Sequence, residues 1–145
     1  MFETRTILFA TDFSERSEPT FHLACALARE HGARLVALHV APASLYGLAL
    51  VQRDEYHRLW NDLHQLQSPD PEVELEYQLR QGDPVQEIVR VAHQFSCDLI
   101  VLAVRGRRGL GRLLIGSVVD QVVRRAHCPV ITGKTAFARA ALVPA

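Results

Sequence analysis

Asp98-Leu-Ile-Val-Leu-Ala-Val104-Arg-Gly106-Arg-Arg-Gly109-Leu-Gly111-Arg-Leu-Leu-Ile-Gly116-Ser117 decides how this chain is read. The run Asp98–Val104 has the apolar content of a buried strand, and Ser117 opens a helical pattern. The glycine- and arginine-rich segment between them therefore joins a strand to a helix. In an α/β protein such a junction is where a phosphate is held. Backbone N–H groups converge on the anion, and the helix N-terminus adds favourable partial charge. Gly106 lets the backbone approach a phosphate, and Ser117 offers a hydroxyl and a backbone N–H at the start of the last helix. A purely structural reading stands beside it: Ser117 is an N-cap with Asp120 as its capping-box partner, and Gly106 and Gly109 permit turns. The two are compatible, because a capped helix start is also an anion site.

Outward from this junction, strands and helices alternate. Arg5–Thr11 is a short apolar run that ends at Asp12 and reads as a buried first strand. Ser14–Ser17, with Pro19 close behind, has the composition of a helix start. Leu23, Ala24, Leu27 and Ala28 repeat at helical spacing, and Gly32 stops the helix as the residue after its C-cap. Arg34–Val40 is a second strand, ended by Pro42. Ser44–Val51 is apolar but loosely patterned. Tyr56, Leu59, Trp60, Leu63 and Leu66 form a helical stripe, broken by Ser68-Pro-Asp-Pro71. Glu72–Leu79 alternates polar and apolar, the pattern of a strand with one wet face, which belongs at a sheet edge.

Gly82-Asp83-Pro84 is a turn and a helix start, with Asp83 as N-cap, Pro84 as the first helical residue and Gln86 as the reciprocal capping partner. Val85, Ile88, Val89, Ala92 and Phe95 are its expected buried face. The last helix carries Val118, Val119, Val122 and Val123 on one side, and Pro129–Thr132 is a short final strand. The order β-α-β-α-β-α-β-α-β implies a parallel sheet covered on both faces, doubly wound by right-handed crossovers. Ligands in such sheets sit beyond the carboxyl ends of the strands, where the winding direction reverses. Asp12, Val40 and the segment after Val104 lie at such ends.

Length and composition bound the rest. The 145 residues suit a single domain over 1–145, with a tail from Thr135 to which no element is assigned. Sixteen Lys and Arg balance 16 Asp and Glu, so no global field draws the chain to nucleic acid or to a membrane surface. The arginines cluster locally at Arg105, Arg107, Arg108 and Arg112, then at Arg124 and Arg125. The three cysteines, Cys25, Cys97 and Cys128, are odd in number and lack framework spacing. They fit a reducing compartment, and with no CxxC or CxxH pair no zinc site is expected. No signal-peptide pattern is present and no apolar run has the length of a membrane helix, so the cytoplasm is the expected location.

Several chemistries are near misses. Gly106 and Gly111 have the glycine spacing of a Walker A loop, but Arg112 and Leu113 replace its lysine and hydroxyl residue. A Rossmann fingerprint should follow the first strand, and none is there. Asp12 at the first strand end can accept a hydrogen bond from a ribose hydroxyl or a base amino group; as a turn residue it would instead cap local backbone. A receiver domain, suggested by Asp12 and Lys134, needs an aspartate at the end of the third strand, where Arg80 and Gln81 stand. His39 reads as a satisfied interior histidine. His22, His31, His57, His64, His93 and His127 share no spacing, and no Gly-x-Ser-x-Gly nucleophile elbow occurs. Cys128, beside Pro129, reads as a small buried residue.

Ile7-Leu-Phe-Ala-Thr-Asp12-Phe-Ser14, Leu38-His-Val40, Gly82-Asp-Pro84, Asp98-Leu-Ile-Val101, Gly106-Arg-Arg-Gly109-Leu, Leu113-Leu-Ile-Gly116-Ser117-Val118 and His127-Cys-Pro-Val130 together resemble the universal stress protein family. The resemblance runs from Arg5 to about Thr132. It implies a Rossmann-like fold of the adenine nucleotide alpha hydrolase-like type, with sheet order 3-2-1-4-5 and ATP, with Mg, between the first and fourth strands. The family's motif is Gly-x2-Gly-x9-Gly-Ser/Thr. Gly106, Gly116 and Ser117 match it, and Ala103 stands at its first glycine. Asp12 matches the acidic residue on the nucleoside, Val40 the residue whose backbone reads adenine, and Val118 follows Ser117 against the phosphates. Arg105 and Arg107 are placed to pair with phosphate oxygens.

The resemblance also implies a homodimer formed by antiparallel pairing of the last strands, here Pro129, Val130, Ile131 and Thr132, an open edge kept short by Gly133. The function it implies is a cytoplasmic stress-response or signalling module that binds ATP or a related adenine nucleotide. Two rivals stand beside it. A nucleotide-free interaction module of the same fold is favoured by Ala103. A slow ATPase or nucleotidyl transferase would need a base or metal ligand near the γ-phosphate. The Ser-Gly-Gly-x-Asp-Ser and His-x-Gly-His motifs of related enzymes are absent, so at most marginal hydrolysis is expected.

Overall fold

Strands that are buried on both faces need near-continuous apolar runs, and this chain supplies them at the centre of its sheet. The computed structural model describes residues 3–14, 17–42, 49–103 and 117–132. Among these, the strands are β1 (Thr6–Thr11), β2 (Arg34–Ala41), β3 (Leu75–Gln81), β4 (Leu99–Ala103) and β5 (Val130–Thr132). The helices are α1 (Ser17–His31), α2 (Ala49–Leu63), α3 (Pro84–Gln94) and α4 (Ser117–Arg125). All strands pair in parallel, in the order β3-β2-β1-β4-β5. This is the doubly wound α/β sheet that the alternation of elements implies. β1, at the centre, is buried at every residue.

The two-residue period of the strands sorts the core into two layers. Ile7, Phe9, Leu35, Ala37, Val101 and Ala103 face Phe21, Ala24, Cys25 and Ala28 of α1 and Leu63 of α2. Leu8, Ala10, Val36, Leu38, Ile100 and Leu102 face Val85, Ile88, Val91 and Ala92 of α3 and Val122 of α4.

Local signals act as their chemistry dictates. The Asp83 carboxylate accepts the Gln86 N–H at 2.9 Å, with Pro84 opening α3. Gly32 ends α1 in the left-handed region at φ 64°, and the Ala33 N–H returns to the Ala28 carbonyl at 2.8 Å. Some expectations need correction. Of the residues in the two helical repeats, Ala24, Ala28 and Val122 lie in the core as Cys25 does, while Leu23 and Val123 are 40% and 43% exposed. β3 starts at Leu75 rather than Glu72, because the chain is still turning where the Val73 N–H bonds the Asp70 carbonyl. It lies at the sheet edge as expected, but is half-buried along most of its length rather than alternately wet and dry. Leu66 falls beyond the end of α2, and Tyr56 on that helix is 49% exposed.

Candidate functional site

The strand order fixes where the winding reverses. β2 and β3 lie on one side of β1, and β4 and β5 on the other. The reversal is therefore between β1 and β4, and the position beyond their carboxyl ends is where sheets of this kind hold ligands in a crevice. Thr11 and Ala103 are the last residue pair of the two strands. One step further, the Asp12 N–H donates to the Ala103 carbonyl at 3.3 Å. Asp12 and Ala103, singled out from widely separated stretches of sequence, meet at this crevice.

The chain leaves β1 through a tight turn. Phe13 is left-handed at φ 64°, an uncommon conformation for a residue with a β-carbon. Its N–H donates to Thr11 Oγ1 at 2.8 Å, and the Ser14 N–H donates to Asp12 Oδ1 at 2.9 Å. The Thr11 and Ser17 hydroxyls are hydrogen-bonded to each other, and the Ser14 carbonyl accepts the Ser17 N–H at 2.9 Å where α1 begins. Asp12 thus does cap local backbone, as one sequence reading had it. Ser14 Oγ is buried and has no hydrogen-bond partner among the described residues.

His39 lies under this turn on β2, in register with Thr11. It is buried; Nδ1–H donates to the Thr11 carbonyl at 2.8 Å, and the ring stacks on Phe13 at 4.2 Å. Burial lowers its pKa below the ordinary 6.5, against the opposing pull of the Thr11 carbonyl, Asp12 and Asp62. The imidazole is a satisfied interior group, neutral at physiological pH. Sequence reasoning left its partner unnamed, since only the β1–β2 register brings Thr11 and Phe13 to it.

Val40 lies just past the last β1–β2 pair, half-buried, and pairs with Arg80 of β3. It packs against the layer beneath α3 and α4, as does Val118 in the first turn of α4, which Ser117 opens. Ala103 contributes to the opposite layer, with Ile7, Phe9 and Phe21, and is 4% exposed. It is not among the left-handed residues. Arg105, Gly106, Arg107 and Gly116 lie outside the described residues.

At the other functional candidate, β5 is an edge strand of three residues, Val130, Ile131 and Thr132. Pro129 precedes it and accepts the Ile100 N–H at 3.0 Å through its carbonyl. Burial pushes the Cys97 thiol up to about 12 and Cys128 to about 11, which keeps both from acting as thiolates. Among the described residues no His, Cys, Asp and Glu cluster could hold a metal ion, and no helix is long and apolar enough to cross a membrane.

A sequence profile of the universal stress protein family matches residues 3–133. The chain belongs to the universal stress protein family. A family member of Methanocaldococcus jannaschii is 42% identical over 62 residues, a match spanning 43% of this chain and 36% of that relative. The solved universal stress protein UspA of Lactobacillus plantarum is 26% identical, with a TM-score of 0.65 over 91% of this chain and 99% of its own. Another family structure, a complex with cAMP, is 25% identical, with a TM-score of 0.60 over 90% of this chain and 97% of its own.

Proposed function

We propose that this chain binds ATP or a related adenine nucleotide in the crevice between β1 and β4, and acts as a dimeric stress-response module of the cytoplasm. The observation that carries the reading is the convergence of Asp12 on Ala103 at the winding reversal, where the glycine-rich segment leaves β4. That a universal stress protein of the same fold is known in complex with cAMP adds the chemical class of ligand.

In this reading Asp12 contacts the nucleoside and the Val40 backbone reads adenine. Main-chain amides at Gly106, Gly116, Ser117 and Val118 receive the phosphates, with Arg105 and Arg107 pairing to their oxygens. Mg accompanies the triphosphate. Ala103 is compatible with this ligand: it needs no left-handed backbone, and its methyl belongs to the layer beneath α1. The module is one domain across 1–145, joined to its copy through Pro129, Val130, Ile131 and Thr132. It is a binder with at most slow hydrolysis, because Asp12 is engaged by the turn it closes.

Calorimetric titration with ATP-Mg and with cAMP tests the reading, alongside inspection of freshly purified protein for bound nucleotide. Absence of heat at millimolar concentrations of both ligands refutes it. The alanine at the first motif glycine favours a second reading, a nucleotide-free interaction module. An Ala103→Gly variant separates the two.

A further inference from the structure

The peptide group that joins Thr11 to Asp12 is held at both of its poles. Its carbonyl accepts Nδ1–H of His39 on β2 at 2.8 Å. Its N–H donates to the Ala103 carbonyl on β4 at 3.3 Å. A trans peptide is planar, with carbonyl and N–H pointing in opposite directions. Fixing both poles therefore fixes the plane from which the Asp12 Cα departs.

The turn that follows needs such support. A left-handed Phe13 is intrinsically disfavoured, and backbone of this kind persists only where its surroundings over-determine it. Within the turn, the bonds Thr11–Ser17, Phe13–Thr11, Ser14–Asp12 and Ser17–Ser14 are local in sequence. His39 reaches in from another strand, and adds to its hydrogen bond a ring stack on Phe13 at 4.2 Å and 29°. By strand parity it belongs to the layer of Leu35 and Ala37, beneath α1 and α2, whereas Val40 and Val118 pack on the opposite layer. The groups of other elements that act electrostatically on the imidazole are Asp12 after β1 and Asp62 on α2.

We propose that His39 is a positioning residue for the nucleotide crevice, locking from the α1 and α2 side of the sheet the peptide and turn that carry Asp12. This rests on the adenine-nucleotide reading above and deepens it. His39 does not touch the nucleotide. It acts through the Thr11–Asp12 peptide, so its effect falls on the part of the ligand that Asp12 reads and not on the phosphates.

The test is ATP titration of the unmodified chain and of variants that separate the hydrogen bond from the stack. His39→Asn keeps an N–H near the place of Nδ1 and loses the ring. His39→Phe keeps the ring and loses the donor. His39→Phe is expected to weaken ATP binding about tenfold, the affinity equivalent of one hydrogen bond lost from a positioned group. His39→Asn is expected to restore affinity to within about twofold of the unmodified chain. Binding of inorganic tripolyphosphate is expected to stay unchanged in both. In an Asp12→Ala background, His39→Phe is expected to add less than about twofold, because the two residues act as one unit.

A merely structural histidine would lower the melting temperature without this coupling to Asp12. ATP affinity unchanged in His39→Phe, or an equal loss with and without the Asp12 carboxylate, overturns the proposal and leaves the nucleotide reading standing. No ATP binding by the unmodified chain overturns the nucleotide reading, and the role of His39 falls with it. If His39→Phe fails to fold, the same comparison is made with His39→Leu, which removes the donor in a smaller apolar side chain. Its ATP affinity is expected to fall less in the Asp12→Ala background than in the unmodified chain, and an equal fall overturns the proposal.

Discussion

Replacing Ala103 by glycine restores the first glycine of the family's nucleotide motif, and the structure makes a definite forecast for it. Ala103 ends β4 in the core layer of Ile7, Phe9 and Phe21, and its backbone is not left-handed. The variant gains no conformational relief. It loses a buried methyl, about 0.8 kcal/mol, and it adds the flexibility of glycine in a strand, about 0.5–1 kcal/mol. The sum is a destabilisation of about 1.5 kcal/mol, which for a domain of this size is a fall of roughly 3–6 °C in Tm by scanning calorimetry. Because the methyl belongs to the layer opposite that of Val40 and Val118, ATP affinity is expected to change by less than about twofold. A tenfold gain in affinity, about 1.4 kcal/mol, would show that the methyl crowds the ligand and refute the placement. Binding that appears only in the variant would assign the natural chain to the nucleotide-free branch of the family.

Other outcomes follow from groups already described. Burial lowers the pKa of His39 below 6.5, so the unfolded chain takes up this proton first as pH falls. The stability due to neutral His39 is complete above pH 6.5 and is lost as pH drops from there through the folded value. Urea midpoints measured across that range should decline less in His39→Phe than in the unmodified chain, and an identical decline would remove His39 as the cause. Asp83→Ala deletes the N-cap of α3 and should cost about 1 kcal/mol, with Asp83→Asn close to neutral; equal costs in chemical denaturation would mean that charge, not capping, matters there. Thr132→Pro removes a backbone donor from the open side of β5, because the register with β4 turns the Ile131 N–H inward and the Thr132 N–H outward, and should convert a dimer to a monomer by light scattering. An unmodified chain that is already monomeric at micromolar concentration would dispose of the β5 dimer.

The central strands were legible because burial on both faces demands continuous apolar runs, and Ile7–Ala10, Leu35–Leu38 and Leu99–Ala103 supply them. α3 was legible because Asp83 and Pro84 each have a fixed role at a helix start. The helical period could not tell which of two adjacent apolar residues is covered. Val122 and Val123 differ only in the rotation of α4, and that rotation is set by packing on α3 and β5. Alternation alone could not separate the turning residues before Leu75 from β3 itself, since both read polar-apolar-polar. At the crevice, Asp12 and Val40 were recognisable as residues at strand ends. The side of the sheet that receives the Ala103 methyl was not, because counting parity along β4 gives a face only once a neighbouring strand is in register. The partnership of His39 with Thr11 and Phe13 has the same origin: 28 residues separate His39 from Thr11, and only the pairing of β1 with β2 joins them.

That register also gives a reason for the aspartate that we propose reads the ligand to stand after β1 rather than after another strand. β1 is the strand flanked by both halves of the winding, so its exit peptide can be gripped by β2 on one side and β4 on the other. An edge strand such as β3 or β5 has a neighbouring strand on one side only. The reversal of winding therefore supplies two things at once: an opening between β1 and β4, and a residue at its lip whose backbone plane is fixed from both sides. On the β2 side the register runs to the Thr11–His39 pair, and the His39 side chain adds its own donor to the Thr11 carbonyl. A side-chain grip can be lost by a single substitution while the backbone ladder survives. Variation at position 39 is therefore expected to tune nucleotide affinity without disturbing the sheet.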